Sequence, residues 1–244
     1  MMTTPNTQPT PTAQTPVGQW VAYNPAYAHT FENLNIDFCC GGKMPLDQAC
    51  QAKSLETSAV IDQLQKEAHQ NANDQVDCTQ LSLTQLCQHI VTTHHHLLLT
   101  KMPYIQKLIQ KVVNAHGHKD PRLAELLQVF TQCKDHLLAH MQKEEQILFP
   151  MIANIENPDS APAVPTPCDI NNPIRMMELE HDDAGQSLAQ IKQLTDDYQI
   201  PQNACTTYRI MLHELQAFEK DMHQHIHKEN NILFPAAAQQ YQAT

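Results

Sequence analysis

Glycine is scarce in this chain, five residues in 244, and runs of β-branched residues are few. Hairpin turns draw on glycine and strands on β-branched side chains, so the shortage points to an all-helical protein. Charge is thin as well: 17% of residues are charged, and the formal net charge is -11. An acidic chain without a cluster of Lys and Arg is not built to hold a nucleic-acid backbone. No apolar run approaches the roughly 18 residues of a membrane-spanning helix, so no membrane segment is expected. The opening MMTTPNTQPTPTAQTP has neither a positive start nor an apolar core. It is not read as a signal peptide, and the expected location is cytoplasmic. In that reducing compartment the eight cysteines are expected as free thiols.

Histidine, by contrast, is plentiful, with 15 residues and no terminal tag. Two stretches organise the chain: HMQKEEQILFP at 140–150 and HIHKENNILFP at 225–235, identical at seven of eleven positions. Each places a His and a Glu four residues apart, His140 with Glu144 and His225 with Glu229. On a helix that spacing puts both on one face, one turn apart. An imidazole and a carboxylate aimed at one point form half of a metal site, and two half-sites on facing helices can hold two ions between them. A lone His-x-x-x-Glu is weak evidence; a duplicated one leading into the same Ile-Leu-Phe-Pro tail is strong.

Along the chain, residues 1–17 are rich in Thr and Pro and are expected to be a disordered leader. Residues 18–70 are expected to form a small helical domain, with a helix over Leu46–Ala68 and the sequence IDFCCGGKMPLDQAC at 36–50. There Cys39 and Cys40 stand beside Gly41-Gly42 near a helix start. Two readings stand: thiols of lowered pKa with redox or metal chemistry, or two buried apolar side chains. Polar residues 70–79 mark a boundary. Residues 80–241 then read as four helices: Ser82–Ala115, Arg122–Phe149, Ile174–Tyr198, and one from Pro201 to about Gln240. Pro150 is expected to kink or end the second. The connections alternate short and long, which suggests an up-down-up-down four-helix bundle.

The first and third helices should complete the ligand set. His181 is the one His on the third, on a stripe with Ile174, Met177, Leu188 and Ile191. Of the triplet His94, His95, His96, only His95 shares the stripe of Leu98 and Met102; the other two are expected at the surface or behind the ligands. His116 lies 21 residues beyond His95, roughly 31 Å along one helix, and is set aside as an end-of-bundle residue. The set is therefore His95, His140, His181 and His225, with Glu144 and Glu229 as bridges. Imidazole and carboxylate without thiolate favour two iron (or manganese) ions with open positions. Glu180, beside His181, has three readings, a residue that orients a ligand, a proton relay or a plain solvated residue, the last being the default.

HMQKEEQILFP, MELEHDDAG (177–185), ACTTY (204–208) and HIHKENNILFP together resemble the repair of iron centres proteins, di-iron members of the hemerythrin-like class. IDFCCGGKMPLDQAC is similar to that family's small N-terminal domain, and the match covers about residues 18–240. The resemblance implies an all-α, hemerythrin-like fold and a non-haem di-iron centre, carboxylate-bridged and oxo-bridged when oxidised. It carries His95, His140, Glu144, His181, His225 and Glu229 over as iron ligands and Cys39-Cys40 as the family's paired cysteines. It implies repair of iron–sulfur clusters damaged by nitric oxide or oxidation, through iron donation or nitric oxide reduction. Damaged iron–sulfur proteins and nitric oxide are the implied partners, with a monomer or homodimer as the assembly. The alternative is a reversible oxygen or nitric oxide binding module. Oxygen carriers of the class use a fifth terminal His, where this chain supplies four well-placed ones.

Overall fold

Helices form wherever the apolar stripes allow them, and prolines set where their geometry changes. The computed structural model describes residues 10–70, 76–157 and 169–242. No strand forms among them; the one isolated bridge pairs Pro16 with Pro45. The chain divides into two units, residues up to Gln80 together with His227–Ile232, and Leu81–Ile226 together with residues from Leu233 onward.

The first unit holds α1 (Val17–Tyr23), α2 (Tyr27–Asn33), α3 (Leu46–Ala52) and α4 (Thr57–Gln70). Val17, Trp20, Phe31, Phe38, Leu46 and Leu64 form its core. The leader expected to be loose through residue 17 is in its later part tied down. The Trp20 indole donates to Thr12 O, and the amides of Leu46 and Asp47 donate to Thr15 O and Ala13 O. Residues 1–9 lie outside the described residues. The single helix expected over Leu46–Ala68 is two, because Ser54 adopts φ 56° between them and Glu56 accepts from Ala59 N at 3.0 Å to open α4.

In the second unit four long helical runs pack as a bundle, α7 against both α6 and α9, and α5 against α8. α5 (Leu83–Ile90) passes through a widened turn, Val91–His95, into α6 (His96–His116). α7 (Arg122–Lys143) passes through Glu144–Leu148 into α8 (Phe149–Glu156). α9 (Asn171–Leu194) is unbroken and ends at Asp196, Asp197 and Tyr198, all at positive φ, which stops it short of the expected Tyr198. α10 (Thr206–Lys228) passes through Glu229–Leu233 into α11 (Phe234–Gln242). The widened turns are π-helical: Phe149 N donates to Glu144 O and His96 N to Val91 O, five residues back.

Those turns explain how the helices run through Pro150 and Pro235. A proline lacks the N–H of the helical ladder, and its ring crowds the carbonyl four residues earlier. One extra residue in the preceding turn opens the ladder there, so each helix bends and continues. Pro150 therefore neither ends the helix nor stands inside regular α-structure; it opens α8.

The start of α5 is fixed across the bundle. Ser82 and Gln85 form a reciprocal capping box, and the Glu156 carboxylate accepts from Leu83 N (2.9 Å) and Thr84 N (3.0 Å). Partial burial pushes the Glu156 pKa up, yet the bonds from Thr84, Leu83 and Ser82 outweigh it and the net shift is downward. A group whose folded pKa is depressed adds stability above its unfolded pKa, and that share is lost as pH falls through the folded value. Glu156→Gln should therefore cost about 1 kcal/mol at neutral pH. The gap from wild type, read from denaturant midpoints, should close as the pH drops below the carboxylate range.

Candidate metal centre

Each widened turn lies at a ring or carboxylate aimed into the bundle. Glu144 and Glu229 open two of them, and His94 and His95 close the third. With His140, His181 and His225 from regular helix, the structure gathers all six side chains that spacing selected. His95, Glu144, His225 and Glu229 form one group and His140, Glu144, His181 and Glu229 a second, each with one ligand atom per residue within 4.8 Å of the others. All six are buried; Glu144, Glu229, His95 and His225 are 0% exposed.

The distances within the groups are compatible with metal binding. Glu144 Oε2 faces His95 Nε2 at 3.4 Å, and its other oxygen faces His140 Nε2 at 3.3 Å. His95 Nε2 and His225 Nε2 are 3.1 Å apart, and His140 Nε2 and His181 Nε2 3.0 Å. Two imidazole nitrogens bound side by side to one ion at roughly 2.1 Å would stand about 3 Å apart. The tautomers agree. His95 donates Nδ1–H to Glu145 (2.8 Å) and His140 donates Nδ1–H to Glu180 (2.9 Å), which leaves each Nε2 lone pair pointing at Glu144. Two buried carboxylates carry a charge that an apolar interior tolerates only beside cations. The donor set fits metal ions that favour nitrogen and oxygen, iron among them.

The surroundings hold what the sequence did not disclose. Glu180 is not the solvated residue of the default reading but takes the orienting position that stood beside it: it joins His140 to Lys143, and the His140 bond, then Lys143, pull its pKa down to about 2 against the effect of burial. His94, expected outside or behind the ligands, is buried behind them: it donates to Asp221 at 2.8 Å and stacks on His225 with centroids 5.2 Å apart. The π-turn is the reason, since its extra residue brings two consecutive histidines inward where a regular helix brings one. His96 remains exposed. The motif phenylalanines press on the clustered imidazoles, Phe149 stacking on His95 at 5.9 Å and Phe234 on His181 at 6.0 Å, while Ile147 of the same tail is 47% exposed. His116 keeps its distance: its ring contacts Cys205 Sγ at 3.3 Å. A cavity of about 250 Å³ between α7 and α9, lined by Cys133, His136, Lys143 and Glu180, meets the group at His140.

Cys39 and Cys40 sit in the first unit, with Asp37. Asp37 Oδ1 accepts from the Cys39 amide (2.9 Å) and thiol (3.2 Å). Of the two readings, the lowered pKa does not hold for Cys39: its bond with the Cys40 thiol, then burial, push it well above the ordinary value. Cys39 is buried and Cys40 half-buried.

Known proteins resemble this chain in sequence. The model of the hemerythrin HHE cation binding domain matches residues 88–237, and that of a domain of unknown function (DUF542) matches residues 13–68. The iron-sulfur cluster repair protein YtfE of Dickeya chrysanthemi is 36% identical over 221 residues, 91% of this chain and 95% of that protein. A probable iron-sulfur cluster repair protein of Haemophilus influenzae is 35% identical over 228 residues, 91% and 96% of the two chains. YtfE of an Enterobacter species is 34% identical over 222 residues, with the same coverage. Among the described residues no helix is long and apolar enough to cross a membrane.

The outer acids give a test. Glu180→Gln and Glu145→Gln each weaken the hold on one imidazole proton, and each should lower metal affinity by roughly 10- to 100-fold. Competition with a chromophoric chelator measures it; unchanged affinity in both variants would remove these acids from the site.

Proposed function

The chain belongs to the hemerythrin HHE cation-binding family, among its iron–sulfur cluster repair proteins, and on that footing we propose that it restores iron–sulfur clusters damaged by nitric oxide or oxidation, using two iron ions held by six residues. The observation that carries the reading is the position of Glu144, with one oxygen toward each of the two histidine pairs. His95 and His225 would hold one ion, His140 and His181 the other, with Glu144 and Glu229 bridging. Two nitrogen ligands and shared carboxylates per ion leave coordination positions open. Bound there, ferrous ions supply electrons for nitric oxide reduction and iron for a depleted cluster.

The protein's own share is to hold and to shield. Glu145 and Glu180 keep the Nδ1 protons of His95 and His140 and so hold both rings in the ligating tautomer. Phe149 and Phe234 cover the His95 and His181 rings and keep water from that side. The cavity at His140 is the route for a small diatomic molecule or a departing ion. Cys39-Cys40 is the pair offered to a damaged iron–sulfur protein, Cys39 staying a thiol and Cys40 the reachable one. The reversible-carrier alternative is not favoured: His94, a further buried imidazole, donates Nδ1–H to Asp221 and stacks on His225, and it belongs to neither group of candidate ligand atoms.

Elemental analysis of purified protein should return two irons per chain. Glu144→Ala with Glu229→Ala should remove both, and His181→Ala should weaken one site selectively. Wild-type protein should restore activity to a nitric-oxide-treated iron–sulfur enzyme, and the double glutamate variant should not. Repair undiminished in that variant, or an iron-free wild type, would overturn the reading. Nitrous oxide evolved by the ferrous protein, against iron lost to a mild chelator, separates reduction from donation.

A further inference from the structure

The two motif copies differ where the second reads His227, Asn230 and Asn231 against Gln142, Glu145 and Gln146. In the first copy Glu145 serves His95. In the second, two of the replacements serve the cysteine loop. The Asn231 amide donates to Phe38 O at 3.2 Å and to Cys39 O at 3.0 Å. The His227 ring meets Phe38 edge-on at 5.7 Å and lies 3.4 Å from the Asn231 amide.

Two glycines make the slot that Asn231 fills. Gly18 N donates to Gly42 O at 2.9 Å, and a Cβ on either residue would stand 2.3 Å from Asn231 Oδ1. At Gly18 the close atoms are all of the Asn231 side chain. Asparagine alone suits the slot: aspartate keeps the shape but turns an anion on two carbonyl oxygens, glutamine is too long, and alanine donates nothing. Asn231 is also two residues from Glu229, within the same widened turn.

We propose that Asn231 is the positioning residue for the Cys39-Cys40 thiols, clamping their loop to the turn that carries Glu229 so that exposure of Cys40 follows the state of that turn. The link to metal loading rests on the reading of Glu229 as a ligand; the clamp itself does not.

The test is alkylation of Cys40 by iodoacetamide, resolved by mass spectrometry, in full-length protein loaded with iron or stripped by chelator. Wild type should show a rate that differs between the two forms. Asn231→Ala and the isosteric Asn231→Asp should alkylate roughly fivefold faster when stripped, the change expected for a lost hydrogen bond. They should also lose the dependence on loading, with iron content and absorption spectrum kept. Gly18→Ala should reproduce the effect in wild type and add nothing on top of Asn231→Ala. A Cys40 rate in Asn231→Ala equal to wild type in the stripped form, or a Gly18→Ala effect independent of Asn231, overturns the clamp. An iron-free wild type sinks the functional reading instead, while the stripped-form comparison still decides the clamp.

Discussion

Two carboxylates buried side by side, each close to imidazole nitrogens, are the constraint that the bundle is arranged around. Placing such charge in an apolar interior is tolerated only when cations and a ring of hydrogen bonds answer it. Much of the remaining architecture does one of those jobs. Glu145 and Glu180 fix imidazole protons from outside. Phe149 and Phe234 exclude solvent. The apolar stripes of α6, α7 and α9 are buried in the bundle that carries the cluster.

The widened turns are the second device, and they follow from the first. A regular helix repeats a face every three or four residues, so it can offer His140 and Glu144, but seating Pro150 just beyond would break a bond of its ladder and crowd the preceding turn. Inserting a residue at Glu144–Leu148 and Glu229–Leu233 lets the chain offer a carboxylate, absorb a proline and carry on with a shifted face. In Val91–His95 the same insertion turns His94 and His95 inward together.

How much could be read from residues alone follows from this. The all-α class and the four long runs were legible, because stripes such as Leu98, Met102, Ile105, Ile109 and Val112 keep helical period and are all buried. The six clustered residues were legible because the motif is duplicated and His181 has no competitor on its helix. His95 was chosen by period, and the period is broken at that place: Ile90 is buried and Val91 only half so. His95 falls in the cluster because the stripe was anchored on the residues after the triplet. For His94 two positions were open, the surface or behind the cluster, and it takes the second. Asp221 left no trace in local pattern, since its partner His94 is 127 residues away, and the role of Glu180 stayed open because its partner His140 is 40 residues away. The break at Ser54 is a backbone event at a residue type that helices accept, so the stripe ran through it unseen.

The extra residue in each widened turn bears on anyone who would transplant this centre into an ideal straight-helix scaffold. Copying the His-x-x-x-Glu pairs alone reproduces two of the four helices' contributions in isolation. From each insertion onward every downstream side chain would be rotated by about a hundred degrees, the angle one residue subtends on a helix. Phe149 and Phe234 would then face away from the rings they cover. The irregularity travels with the ligands, and a blueprint that smooths it out discards the lid.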